Sequence, residues 1–229
     1  VFLVADAEGH FTAFGAWRAG ERGLHVERAG LGNGHRPARV ILRIGPEADV
    51  RLAAQAESTM RQASQFIRDA KRQAGITPDD GGAADQAGLV GAEMTPLVTT
   101  LGSLESKQLS TSPAWARVLV AQLTGAGVGR GSIVAASFSG SFPALNLALA
   151  CACRALGGRL VAVSSVTSST WGANQPGSTW PEMEARLADA GLIAIASIAV
   201  STGGEDDRAA DLEPDARALA DQIGDRAAA

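Results

Sequence analysis

Residues 132–145 constrain the fold more than any other stretch. They run from Ile133-Val134-Ala135-Ala136 through Ser137-Phe138-Ser139-Gly140-Ser141 into Phe142-Pro143-Ala144-Leu145. The apolar run is too short for a helix and follows the turn residues Gly129-Arg130-Gly131, so it predicts a buried strand. Gly140 gives the serine-rich turn backbone freedom. Pro143 fits the first turn of a helix, where its missing N–H costs nothing. Phe142, Leu145, Leu149, Cys153 and Leu156 then recur at helical spacing. A strand that feeds a helix through hydroxyls gathers free N–H groups and the positive end of a helix dipole at one place. That place suits a small anion, phosphate or carboxylate.

The segments that follow extend the pattern. Gly157-Gly158 caps the helix, and Arg159–Ser165 predicts the next buried strand, joined by a right-handed parallel crossover. Residues Val166–Thr179 read as a long polar loop with Thr167, Ser168, Ser169, Thr170, Trp171, Gly172, Asn174 and Gln175. Like the serine turn, it starts at the C-terminal end of a strand, the edge where open α/β sheets bind ligands. A helix from Trp180-Pro181-Glu182 to Ala190, an apolar strand from Leu192 to Val200, an acidic loop Glu205-Asp206-Asp207 and a helix Glu213–Ile223 complete the chain. The expected fold is α/β: three layers, a parallel Rossmann-like sheet with helices on both faces. No strand follows the last helix and the chain starts at Val1, so the sheet and an upstream segment are expected to extend beyond it.

Three regions are expected ahead of and within this fold: 1–48, 49–82 and 83–229. The first holds short strand patterns at Val1–Ala5, Phe11–Trp17 and Arg39–Ile44, a Gly- and Arg-rich loop from Gly20 to Arg39, and all three histidines, His10, His25 and His35. No two histidines have a metal-pair spacing, which reads as exposed loop positions. Asp49–Ala74 predicts one long helix with the seam Leu52, Ala56, Met60, Ala63, Ile67, Ala70 and Ala74. Arg51, Glu57, Arg61, Gln65, Arg68, Lys71 and Arg72 fall on the other face. The seam supports two readings: a stalk or homo-oligomer helix, or a helix packed on its own domain. Gly75 ends it, and Pro78–Gly82 is a turn. Gly88–Ala92 is a weak strand pattern, Met94–Lys107 a polar stretch without a period, and Ser112-Pro113 opens a helix through Trp115, Val118, Leu119 and Gln122 to Gly125.

Several chemistries are excluded. The glycines from Gly125 to Gly131 lack the G-x-G-x-x-G spacing and precede a strand instead of following one, so they are a helix cap and turn. Neither Ser137 nor Ser139 lies in a G-x-S-x-G elbow, and the histidines are remote in sequence. Cys151 and Cys153 are two apart on a helix and read as core thiols. A net charge of −4 argues against a nucleic-acid partner. No apolar run reaches membrane-spanning length, there is no signal-peptide pattern, and no metal or cofactor is called for. What remains is a hydroxyl and amide cluster: Thr99, Thr100, Ser137, Ser139, Gly140, Ser141, Ser164, Ser165, Trp171 and Asn174, with Glu105 and Lys107 for proton transfer or charge pairing. Met94–Lys107 is read either as a functional loop or as a plain polar connection with a surface Glu–Lys pair.

Ser137-x-Ser139-Gly140-x-Phe142, between a buried strand and a helix, resembles the phosphosugar loop of sugar isomerase (SIS) domains, with Phe142 where that loop has a hydroxyl. A longer resemblance runs from about Arg51 to Glu213. Gly91–Lys107, Ser110-Thr111-Ser112-Pro113, Ser139–Leu145, Trp171-Gly172-Ala173-Asn174, Trp180 and Met183-Glu184 are similar to the bacterial poly-gamma-glutamate system protein family. The resemblance implies a role in capsule-type polymer synthesis or export, partners in that machinery, and association with the membrane or cell envelope. It supplies no catalytic residues. Three functions follow as expectations: an accessory protein binding a small anionic ligand; an enzyme of the sugar-phosphate isomerase or acyl-phosphate type; or a structural subunit assembled through Leu52–Ala74.

Overall fold

The computed structural model describes residues 2–5, 11–14, 50–76, 86–194 and 197–228. The histidines, the Arg39–Ile44 strand pattern, the Gly20–Arg39 loop and the Pro78–Gly82 turn lie outside them. The chain is a mixed α/β protein. In order, its elements are β1 (Phe2–Ala5), β2 (Phe11–Phe14), α1 (Val50–Gln73), β3 (Val98–Thr100), α2 (Leu104–Ser110), α3 (Ala114–Gly125), β4 (Ile133–Phe138), α4 (Pro143–Leu156), β5 (Arg159–Ser165), β6 (Ser168–Ser169), α5 (Trp180–Asp189), β7 (Ala199–Ser201) and α6 (Pro214–Ala228).

One sheet has the order β2-β1-β4-β5-β7 and a second pairs β3 with β6. β4, β5 and β7 are parallel, as is the β3–β6 pair. β1 runs antiparallel to both β2 and β4, so the main sheet is mixed where an all-parallel one was expected. The chain between β1 and β2 is too short for the crossover that parallel strands need. Of the strand expected over Leu192–Val200, the described residues form only β7. The Gly88–Ala92 pattern forms no strand; Leu89 and Val90 are buried in irregular backbone.

Period-two alternation decides which sheet face is covered. Val134 and Phe138 of β4 register with Leu160 and Ser164 of β5, and all are buried; Val134, Phe138 and Leu160 belong to the main apolar core with α1, α3, α4 and α5. The alternate positions are open: Ile133 is 46% and Val163 39% exposed. Val200 of β7 registers with Ser164, and with Leu97 and Val166 it packs against Ala220 and Ile223 of α6. Among the described residues the helices therefore cover one face, where helices on both had been expected.

α4 is the centre of the molecule. Pro143 occupies its first turn, and Gly157, at φ 71°, closes it in the left-handed conformation, with the Gly158 N–H reaching back to Cys153 O at 3.0 Å. Between these caps nearly every residue is buried, Cys151 and Cys153 included, because the sheet lies under α4 and α1 and α3 lie over it. Ala144, Ala148, Ala150 and Ala152 keep the helix slim enough for contact on all sides. Of the expected α1 seam, Ala56, Met60, Ala63 and Ile67 are buried against this same core together with Ala53; Leu52 and Ala70 are half-buried and Ala74 is exposed, so the middle of the seam faces its own chain. Lys71, expected on the polar face, is buried and donates to Val90 O at 2.9 Å.

Candidate functional site

Three segments meet beyond the C-terminal ends of β4 and β5: the turn 138–142, the segment 166–174, and the run 98–107 carrying β3 and α2. Missing side chains let them touch. A Cβ on Gly172 would lie 2.7 Å from Gly140 O, and one on Gly140 would lie 2.9 Å from the Ser168 Cβ. A third glycine, Gly91, packs against Gly172 O. The Ala173 N–H donates to Gly140 O at 2.7 Å and the Thr170 N–H to Thr100 O at 2.9 Å. The Thr170 hydroxyl accepts from the Gly102 N–H and donates to Gly102 O.

Lys107 enters this junction from α2. It is only 3% exposed. Its Nζ donates to Ser141 O at 2.6 Å and to Ser169 Oγ at 2.8 Å, and it lies 3.6 Å from the centre of the Phe142 ring. No carboxylate pairs with it among the described residues. Burial pushes its ammonium down from the ordinary 10.5 to about 8. Glu105 is exposed on the same short helix, since residues two apart do not share a helix face; the structure does not bring it to Lys107.

The other expected site residues divide. Ser139 is exposed; its Oγ accepts from the Ser141 N–H at 3.1 Å, while its carbonyl accepts from Asn146 Nδ2. Ser141 Oγ accepts from the Ser169 N–H at 3.0 Å. Thr99 Oγ1 donates to Ser168 O, and Thr100 is exposed. Ser141, in the same turn as Ser139 and Gly140, is thus brought to Lys107 through its carbonyl, and Ser169 joins them.

Ser137, Ser164, Ser165, Trp171 and Asn174 stand elsewhere or serve the backbone. β4 continues through Phe138, so Ser137 lies in the strand and is exposed on the uncovered face; Ser165, also on that face, donates weakly to Phe138 O at 3.5 Å. Trp171 takes φ 62°, with its N–H bound to Ala92 O and its carbonyl accepting from Gly91. Asn174 is fully buried: Oδ1 accepts from the Ala92 N–H at 3.1 Å and Nδ2 donates to Ala92 O at 2.7 Å. It acts as a strand partner for Ala92, and its complete burial closes it to a ligand. The stretch read as a long polar loop is mostly interior, because its hydroxyls and amides satisfy backbone groups distant in sequence.

Ser164 belongs to a second polar cluster under α5. It donates to Glu184 Oε2 at 2.9 Å, contacts the Ser197 hydroxyl at 2.6 Å and accepts from Trp180 Nε1 at 3.1 Å; Ser197 also donates to the Glu184 carboxylate. Glu184 is 2% exposed, and burial raises its carboxyl above the ordinary carboxylate range. Trp180 meets Phe138 edge-on at 5.5 Å. In the sequence Glu184 reads as an ordinary charged position of an amphipathic helix, so nothing local marks it.

Among the described residues no group of three His, Cys, Asp or Glu side chains is placed to hold a metal, and no helix is long and apolar enough to cross a membrane. Comparison with known proteins matches no family model, no curated protein and no solved structure.

Proposed function

We propose that this protein binds a small anionic ligand, a phosphate or carboxylate, at the junction of the Ser139–Ser141 turn with Lys107. The observation that carries the reading is a buried ammonium without a carboxylate partner among the described residues, 2.6 Å from the carbonyl of a turn whose hydroxyls reach solvent. A cation in a low-dielectric setting attracts an anion far more strongly than the same charge in water. Lys107 supplies the charge; the hydroxyls of Ser139 and Ser141 supply the contacts. The β4–α4–β5 unit, with its parallel pairing, supports a Rossmann-like, SIS-like architecture as part of the same proposal. The resemblance to the poly-gamma-glutamate system proteins favours a carboxylate ligand, and with it an accessory role in handling that polymer.

A thermal-shift titration tests this with inorganic phosphate, γ-linked glutamate oligomers and a sugar phosphate. A ligand at a hundred times its Kd stabilises by about 2.7 kcal/mol. One of the three should raise the melting temperature of the native chain, with the shift lost in Lys107→Met and reduced in Ser139→Ala. A full shift in Lys107→Met would reject the site.

A further inference from the structure

We propose that Ser169 is a nucleophile, that Lys107 is the base that takes its proton, and that the pair cleaves a small carboxylic ester or amide. An activated serine is recognised by a base within hydrogen-bond reach and a third group that orients the base. Here Lys107 Nζ lies 2.8 Å from Ser169 Oγ, and Ser141 O, 2.6 Å away, orients the amine from its other side. The Phe142 ring covers the nitrogen at 3.6 Å and keeps water from solvating it. The other serine–acid contacts, Ser164 and Ser197 with Glu184 and Ser201 with Asp207, pair the hydroxyl with a carboxylate, a far weaker base than an amine. Ser141 Oγ accepts from the Ser169 N–H, so its own proton is free to meet an oxyanion forming beside Ser169. Ser169 and Lys107 are each 3% exposed, which limits the substrate to a slender acyl group. The inference rests on the reading above in placing its ligand at the same serine turn.

The step balances without a further reactant. Neutral Lys107 accepts the Ser169 hydroxyl proton as Oγ bonds to the carbonyl carbon. The tetrahedral oxyanion collapses, the bond to the leaving oxygen or nitrogen breaks, and Lys107 returns its proton to that atom. Water, deprotonated by the same amine, attacks the acyl-serine; the acid departs and Ser169 Oγ recovers its proton.

A fluorophosphonate probe reads the pair directly, since attack forms an O–P bond and expels fluoride. The intact protein is treated between pH 7 and 9 and the adduct is mapped by mass spectrometry. With an amine titrating near 8, the labelling rate should rise about tenfold over that range. The adduct should sit on Ser169. It should be absent in Ser169→Ala, and lost in Lys107→Arg, whose guanidinium keeps the charge and cannot serve as a base. Circular dichroism shows whether each variant is folded. No adduct on the native chain at pH 9, an adduct on Ser139 or Ser141 instead, or undiminished labelling in folded Lys107→Arg would overturn the proposal. A ligand-induced thermal shift without labelling sinks this inference alone; labelling of Ser169 without any shift supports it and sinks the anion-binding reading.

Discussion

Replacing Lys107 with methionine removes a cation and keeps an unbranched stem against Phe142. The difference in stability between the native chain and this variant should depend on pH in a defined direction. The native fold holds the amine near 8, whereas the unfolded chain holds it at the ordinary 10.5. Below pH 8 both states are protonated, and the full cost of burying the charge weighs on the fold. Between pH 8 and 10.5 the unfolded state binds more protons, so the native chain gains stability as pH rises. The gap between 10.5 and about 8 is worth about 3 kcal/mol at 1.36 kcal/mol per pH unit. The variant also leaves Ser141 O and Ser169 Oγ without their donor, at a cost of about 1–3 kcal/mol that does not vary with pH. Cys151 and Cys153, pushed by burial from 9.0 to about 12, lose stability above pH 9, and because they do so in both proteins they cancel in the difference. Urea unfolding at intervals from pH 7 to 10.5 gives the curve. Native minus variant should climb by about 2–3 kcal/mol across the window. A flat or falling difference would refute the burial of this amine.

Asn174→Ala orphans the Ala92 N–H, while the Ala92 carbonyl keeps the Trp171 N–H; this should cost about 1–3 kcal/mol in chemical unfolding, and a loss below about 0.5 kcal/mol would mean that the side chain is dispensable. Gly172→Ala puts a methyl 2.7 Å from Gly140 O, where ordinary contact starts at 3.4 Å, so backbone must move by about 0.7 Å at a cost of about 1–3 kcal/mol, read as a lower melting temperature. Glu184→Gln removes a carboxyl that holds its proton more tightly folded than unfolded. Native minus variant stability should fall as pH rises from the ordinary 4.5 toward neutrality, and a rise would contradict the burial. Ile67→Asp should unfold the chain, seen as loss of circular dichroism, because the seam of α1 faces its own core; a folded monomer released from an oligomer would show the opposite.

The elements legible in the sequence are those whose signals are local. The apolar run of β4, Pro143 at the start of α4 and Gly157 at its end each act within a few residues, and each falls where expected. Phe138 carries the strand two residues past the expected end at Ala136, its buried ring packing edge-on against Trp180. The site itself was half legible. Ser139–Ser141 stood out as hydroxyls at a strand end, whereas the burial of Lys107 did not, since a lysine in a polar stretch reads as solvated and its partners Ser141 and Ser169 lie 34 and 62 residues away. The same holds for Asn174, bonded to a residue 82 positions earlier. β3, β6 and α2 are too short for periodicity to declare them.

One consequence of α4 reaches beyond the site. A helix walled by β4 and β5 on one side and by α1 and α3 on the other has no layer that can peel away and leave its amides wet. Deuterium should therefore enter the backbone from Leu147 to Cys153 only when the whole molecule opens, and the slowest exchange rates in the chain should be found there. Those few amides then act as an internal gauge: their exchange free energy should equal the stability measured in urea.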